Sequence, residues 1–169
     1  AAMKLLAPYL RRVFNNGNDR EAREAMMLGS TLAGIAFSNA SVALVHGMSR
    51  PIGALYHVPH GLSNAMLLPA VTEYSIPAAE QRYADAARVM GIAQASDTNI
   101  KANQKLMDEL FAINRELEVP TPAEFGISRT RFFENLNMKA QQALASGSPA
   151  NNPRVPDADS IIEIYKQLW

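Results

Sequence analysis

Cysteine is missing from all 169 residues, which excludes disulfide bonds, thiolate metal ligands and a catalytic thiol. An excess of charge of one sign is missing too, because 16 Lys and Arg balance 16 Asp and Glu. We therefore expect neither a nucleic acid nor a membrane as a partner, and favour a small molecule. The cysteine-free composition suits a reducing compartment and residues 1–14 show no signal peptide, so we expect a cytoplasmic protein.

Alternation of apolar and polar residues with period two, the pattern of a half-buried strand, is not convincing anywhere. No G-x-G-x-x-G or comparable glycine cluster is present, so no nucleotide-binding loop is expected. Apolar residues recur instead at helical spacing, and we predict one all-α domain, residues 1–169, built as a bundle of about six helices. The predicted helices cover residues 2–15, 21–46, 60–68, 77–90, 98–117, 129–145 and 157–168, with Asp19, Asp97, Ser128 and Asp157 as N-caps.

The predicted helix 21–46 is the most unusual. From Met26 onward it is apolar on nearly every side and rich in small residues such as Gly29, which indicates a long, buried, central helix. A membrane span is the rival interpretation, but Asn39 and other polar residues interrupt the roughly 18 apolar residues that a span requires. Pro51 and Gly53 are expected to break the helix.

All three histidines of the sequence lie between residues 46 and 60. His46 and His60 each precede a glycine, one at the predicted end of a helix and one at the predicted start of the next. Imidazole is the commonest protein ligand for transition metals, and a neutral imidazole is expected at a helix start. We interpret the pair as half of a metal site, with purely structural roles as the alternative. His57 is separated from His60 by Pro59 and is interpreted as a surface or supporting residue.

Carboxylates are missing from residues 25–72. A carboxylate ligand would therefore have to come from a distant segment or from residues outside this sequence. Arg50 cannot bind a metal because its guanidinium only donates hydrogen bonds. It is expected either to cap the carbonyls of a helix end or to hold an anionic group of a substrate or cofactor.

The central motifs resemble the metal-binding signature of the iron-containing alcohol dehydrogenases, and the similarity extends through almost the whole sequence. The residues that carry it are Leu32 to Ala40, Val45-His46-Gly47-Met48, Pro59-His60-Gly61, Asn64-Ala65, Leu67-Leu68-Pro69, Tyr83, Ala87, Met90-Gly91, Ile164-Tyr165 and Trp169.

The resemblance implies that His46 and His60 are two ligands of one catalytic divalent metal, Fe²⁺ or Zn²⁺. In that family an Asp-x-x-x-His helix completes the site, and an α/β domain before it binds NAD or NADP. This sequence contains neither, so it resembles the C-terminal helical part of a metal-dependent alcohol dehydrogenase or aldehyde reductase, and a homo-oligomer is expected. Many members of the family carry another histidine at the position of Arg50. The resemblance implies that this histidine helps to relay protons, a role that it does not extend to Arg50.

Two alternatives remain open at this point. A non-catalytic helical interaction module, or a fragment that docks on another domain through an apolar face, is the first. The related glycerol-dehydrogenase-like branch is the second, although it is not expected to show the Val-His-Gly-Met and Pro-His-Gly pattern. The isolated chain is predicted to be inactive as an enzyme.

Overall fold

The computed structural model describes all 169 residues, and every regular element in it is a helix. The all-α prediction is confirmed, with nine α-helices rather than about six. They are α1 (Ala2–Asn15), α2 (Arg20–Ala40), α3 (Leu44–Tyr56), α4 (His60–Ser75), α5 (Glu80–Val89), α6 (Asn99–Glu116), α7 (Arg129–Glu134), α8 (Leu136–Ala145) and α9 (Ala158–Lys166). Two short 3₁₀ helices, Ile76–Ala78 and Ser148–Asn151, complete the set.

Three predicted N-caps are confirmed. The side chains of Asp19, Ser128 and Asp157 each accept a hydrogen bond from the backbone N–H three residues later, which satisfies a donor that the helix itself leaves free. The prediction that Asp97 caps α6 is wrong, because the neighbouring Thr98 does so.

The predicted continuous helix 21–46 is also wrong, because it consists of two helices. Ser41, after the end of α2, has φ of 66° and ψ of 175°, which no helix can contain. Just before it, the Asn39 side-chain amide donates to the Ile35 carbonyl at 2.7 Å. Side chains that bond to nearby backbone in this way compete with continued helix formation. His46 consequently lies near the start of α3 instead of at the end of a long helix.

The burial predicted for this segment is wrong as well. Only Ala22 and Gly29 of α2 are buried, and the helix is not the buried central one that its apolar composition suggested. No single helix is both long and apolar enough to span a membrane. Only α2 and α3 taken together, as a bent pair, meet that criterion, and they do so by length and composition alone.

Prolines do not break the helices where the sequence suggested. Pro51 lies inside α3 and Pro69 inside α4, although an interior proline costs about 3 kcal/mol of helix stability. Both side chains are buried, so packing of the two helices outweighs the missing hydrogen bonds. The predicted helix 129–145 is divided at Asn135 into α7 and α8.

The chain forms two compact units, Ala1–Ser41 with Ala79–Leu117, and Val42–Ala78 with Glu118–Trp169. In the first, α1 packs against α2 and α5 against α6. Arg11 of α1 forms ion pairs with Glu109 and Glu116 of α6. Each unit is defined only by the packing within it. The expectation of a single domain therefore stays a prediction.

The second unit has an apolar core to which α3, α4, α7, α8 and α9 all contribute. Its largest fully buried side chains include Phe132, Tyr165 and Ile52. The Tyr165 hydroxyl donates to the Met48 carbonyl at 2.6 Å within this core, so α9 holds α3 through a buried hydrogen bond. Both predicted metal ligands belong to this unit, at the starts of α3 and α4.

Candidate metal centre

His46 is the third residue of α3 and lies in its first turn. Its neighbours Leu44 and Met48 are fully buried, and they fix the start of the helix in the core while the imidazole stays half-buried. The buried hydroxyl of Ser49 donates to the His46 carbonyl at 3.2 Å. The packing of Leu44 and Met48 and the hydrogen bond from Ser49 therefore both fix the backbone that carries this imidazole.

His60 is the first residue of α4 and is exposed. Pro59 precedes it as the N-cap residue, with φ of −53°, a value that the proline ring imposes. The buried Ser63 hydroxyl donates to the His60 carbonyl at 3.0 Å, just as Ser49 does to His46. The tetrapeptides His-Gly-Met-Ser and His-Gly-Leu-Ser thus form the same hydrogen bond from serine to histidine near the starts of two helices, a repetition that the sequence prediction overlooked.

The two helix starts bring the imidazoles together. The ring centroids of His46 and His60 are 5.2 Å apart, with 52° between the ring planes. Asn64, one turn further along α4, places its Nδ2 atom 3.1 Å from His60 Nε2 and 3.5 Å from His46 Nε2. Both Nε2 atoms therefore face one point. An amide NH₂ group donates hydrogen bonds, so an Nε2 atom with a free lone pair is the partner that suits it.

Electrostatics also favours a neutral ring at His46. Burial lowers the pKa of His46, and the nearby His60 and Arg50 lower it further. The position in the first turn of α3 acts in the same sense, because the N-terminal end of a helix dipole disfavours a cation. A metal ligand must be a neutral imidazole, and His46 is held in that form.

The glycines after the two histidines have different surroundings. A Cβ atom on Gly47 would lie 2.9 Å from both Cγ and Cδ of Pro149, so only glycine lets the 3₁₀ helix pack on α3. A Cβ atom on Gly61 would meet nothing within 4 Å. Gly47 therefore permits a close approach, and the approaching group is the ring of Pro149.

Arg50 lies one helical turn after His46 on α3 and is exposed. After burial and the nearby His60, its positive charge also contributes to lowering the pKa of His46. His57 takes no part in the arrangement. It ends α3 in the left-handed conformation, with φ of 57°, and is exposed.

The structure brings together no group of three or more His, Asp or Glu side chains that could hold a metal. Two imidazole nitrogens directed at one point fit a divalent transition metal, yet they make up only part of the usual set of three or four ligands. Asn64, which the sequence analysis noted only as part of the resemblance, is the further polar group at this point. The arrangement can hold a metal only with donors in addition to the two histidines.

Comparison with known proteins identifies a family for this chain. Residues 1–169 match the profile of the Fe-containing alcohol dehydrogenase family, C-terminal part. Lactaldehyde reductase of Escherichia coli (strain K12) is 36% identical over 169 residues, which cover 99% of this chain and 43% of that protein. The 1,3-propanediol dehydrogenase of Klebsiella pneumoniae is 33% identical, with the same coverage.

A solved structure of an alcohol dehydrogenase has a similar fold. The alcohol dehydrogenase from Oenococcus oeni superposes with a TM-score of 0.91 at 30% identity, over 99% of this chain and 43% of that one. The chain thus spans less than half the length of the proteins that it matches.

Proposed function

We infer the function of this chain from its membership of the iron-containing alcohol dehydrogenase family, whose C-terminal part it matches over residues 1–169. We propose that the complete protein oxidises a small alcohol, or reduces the corresponding aldehyde, with NAD or NADP. The names of two relatives, lactaldehyde reductase and 1,3-propanediol dehydrogenase, support this substrate class. The chain supplies the helical part of that oxidoreductase.

The proposed role of His46 and His60 is to bind one catalytic Fe²⁺ or Zn²⁺ through their Nε2 atoms. The observation that carries this proposal is the shared point that both Nε2 atoms face, marked by Asn64 Nδ2 at 3.5 and 3.1 Å. When bound, such a metal supplies Lewis-acid chemistry, which stabilises an alkoxide or polarises a carbonyl. The two helix starts contribute by holding the two rings next to each other before metal arrives.

The proposed role of Arg50 is to orient an anionic group of the substrate or of the cofactor. Its exposed guanidinium lies on the same side of α3 as His46, one turn away. A guanidinium holds phosphate or carboxylate oxygens by paired hydrogen bonds and never gives up its proton. Arg50 therefore attracts and positions an anionic group, and does not relay a proton.

The other proposed partners follow from the family. NAD or NADP is bound mainly by an α/β domain outside these residues, and further metal ligands come from outside them too. We also propose a cytoplasmic homo-oligomer that binds neither nucleic acid nor membranes.

The experiment that tests this function uses the protein encoded by the complete reading frame around this chain. Its bound iron or zinc and its NAD(P)-linked oxidation of 1,3-propanediol are measured together. We expect His46→Ala and His60→Ala to lose the metal and to reduce activity about a hundredfold or more. His57→Ala is the matched control and should keep both. Metal retained at full occupancy in both ligand variants would refute the assignment.

A second candidate function rests on the surface of α2. Met27, Leu28, Ile35 and Phe37 are 72%, 53%, 57% and 52% exposed, and Leu28 and Ile35 share one face because they are two turns apart. Contiguous exposed apolar side chains mark interaction sites. In this alternative the chain is a helical docking module without catalysis of its own, and sedimentation of the isolated chain tests whether this surface associates.

A further inference from the structure

The turn between α1 and α2 contains Asn16-Gly17, the only Asn-Gly pair in the sequence. Asn16, Gly17 and Asn18 are all exposed to solvent. Few bonds separate the side-chain amide carbon of an asparagine from the next backbone nitrogen, so attack by that nitrogen closes a small ring. The reaction requires a nitrogen that is not engaged in a hydrogen bond, room for the two atoms to meet, and access of water. The exposed turn gives water that access.

The backbone nitrogens that follow the three asparagines of this turn are not equivalent. The nitrogen after Asn15 donates to a carbonyl of α1 at 2.9 Å. The nitrogen after Asn18 belongs to Asp19 and donates to the Asn16 carbonyl at 3.0 Å. The nitrogen after Asn16 belongs to Gly17 and donates to no acceptor of the chain. Attack at Asn15 or Asn18 would therefore break a hydrogen bond within the chain, whereas attack at Asn16 would break none.

Gly17 also leaves room for the attack. A Cβ atom on Gly17 would meet nothing within 4 Å, so no neighbouring group covers its nitrogen. Asn16 has φ of −141° and ψ of 93°, and its ψ angle must rotate to bring the Gly17 nitrogen against Cγ. Glycine has no side chain to oppose such a rotation. The two atoms can meet without a clash.

The carbonyl group of the Asn16 side chain is already polarised. The backbone N–H of Asn18 donates to its Oδ1 atom at 3.1 Å, and because a backbone N–H only donates, oxygen is the atom that it contacts. A donor directed at this oxygen makes the amide carbon more open to attack and stabilises negative charge that develops on the oxygen. The turn thus favours the reaction at Asn16 over its neighbours.

We propose that Asn16 is a modification site, at which the native chain deamidates without an enzyme. The Gly17 nitrogen attacks Cγ of Asn16, so a Cγ–N bond forms and the Cγ–Nδ2 bond breaks. A base of the solvent takes the Gly17 amide proton, and Nδ2 leaves as ammonia with a proton from water. Water then opens the cyclic imide. Opening at Cγ gives Asp, and opening at the main-chain carbonyl gives isoaspartate, so the net change is the exchange of one water for one ammonia.

The modification alters the charge and the shape of the turn. Either product adds one negative charge to a chain whose formal net charge is 0. Isoaspartate also adds a carbon atom to the main chain between Arg12 and Asp19, whose side chains form an ion pair at 2.8 Å across this turn. The site therefore marks the age of the molecule at the connection between α1 and α2.

The test incubates the purified 169-residue chain for days to weeks in mildly alkaline buffer and follows the tryptic peptide of residues 13–20. This peptide contains Asn15, Asn16 and Asn18, so the two neighbours are internal controls. Deamidation raises the mass by about 1 Da, and fragmentation locates it. We expect Asn16 to react about tenfold faster than either neighbour, with two isomeric products that reversed-phase chromatography separates.

The matched variant is Gly17→Ala. The φ angle of Gly17 is not positive and nothing lies within 4 Å of the added carbon, so alanine fits the turn, and circular dichroism checks that the helices are kept. We expect the reaction at Asn16 to slow about tenfold, because a methyl group beside the attacking nitrogen hinders its approach. The parent chain unfolded in urea is incubated in parallel to give the rate without the turn.

Three results would overturn the proposal. Asn16 that stays intact in the native chain but reacts in urea would show that the folded turn prevents the attack. An unchanged rate in Gly17→Ala would show that the nitrogen of residue 17 is not the attacking group. Equal rates at Asn15, Asn16 and Asn18 would show that the turn does not select Asn16. None of these results affects the proposed function, because the turn is separate from His46 and His60.

Discussion

Gly47 and Pro149 are in direct contact, and a Cβ atom on Gly47 would lie 2.9 Å from two atoms of the proline ring. This contact joins the 3₁₀ helix to α3 at the residue next to His46. It fixes the backbone next to a candidate ligand through packing.

We therefore expect Gly47→Ala to destabilise the chain by about 1–2 kcal/mol, because the steric cost of the added methyl exceeds the helix propensity that alanine brings. Urea unfolding followed by circular dichroism measures this change. The control is Gly61→Ala, where nothing lies within 4 Å of the added carbon, and it should be neutral or stabilising. Equal effects of both substitutions would contradict the contact.

The hydrogen bond from Tyr165 to the Met48 carbonyl, 2.6 Å long, is buried between α9 and α3. Tyr165→Phe removes the donor and keeps the ring, so we predict a loss of about 1–2 kcal/mol in the free energy of unfolding. Tyr74→Phe, at a tyrosine that is not buried and that contacts Arg154 through its ring and its backbone carbonyl, serves as the comparison. A stability unchanged in the Tyr165 variant would show that this bond does not hold α3.

Lys139 is fully buried and no carboxylate pairs with it. Its Nζ atom lies 3.1 Å from the centroid of the Phe132 ring and 4.7 Å from that of Tyr165, and donates to the Phe132 carbonyl. Burial lowers the pKa of Lys139 to about 7. The unfolded chain, with an ordinary lysine pKa near 10.4, binds more protons between about pH 7 and 10, so stability should rise with pH in that range.

Lys139→Met removes this dependence. We expect the variant to be more stable than the parent by roughly 2–4 kcal/mol at pH 6, less than the pKa change alone implies because the aromatic faces stabilise the cation. The gain should shrink by pH 9. Urea unfolding at both pH values tests this, below the range in which the buried tyrosines titrate. Lys4→Met, at an exposed position, should show no such difference; a gain at Lys139 that does not depend on pH would contradict the account.

The exposed face of α2 gives a prediction about association. We expect the isolated chain to self-associate at micromolar concentration, and the double variant Leu28→Ser with Ile35→Ser to shift it toward monomer in sedimentation velocity. Ile100→Ser, at an exposed apolar residue of α6, should leave the distribution unchanged. A parent chain that sediments as a monodisperse monomer would argue against this docking surface.

Some features could be predicted from the sequence because they depend only on residues close together in the chain. Asp19, Ser128 and Asp157 were predicted as caps because a cap depends only on a side chain and the N–H three residues later. The pairing of His46 with His60 was predicted because each stood at a change of chain direction. The resemblance to a known family strengthened that interpretation without adding the geometry.

Other features depend on contacts that the sequence does not display. The break at Ser41 requires an unusual backbone conformation in a residue that normally avoids it, so His46 was placed at the wrong end of a helix. Asn64 contacts both imidazoles only once α3 and α4 are packed. Lys139 was overlooked because lysine is rarely buried without a partner.

The central claim is that His46 and His60 share one metal. Imidazole ¹⁵N resonances of the chain, with only three histidines to assign, test it during a Zn²⁺ titration near neutral pH. The account predicts that the Nε2 resonances of His46 and His60 shift together along one binding curve, while those of His57 stay unchanged. Independent shifts of the two rings, or a shift of only one of them, would contradict it.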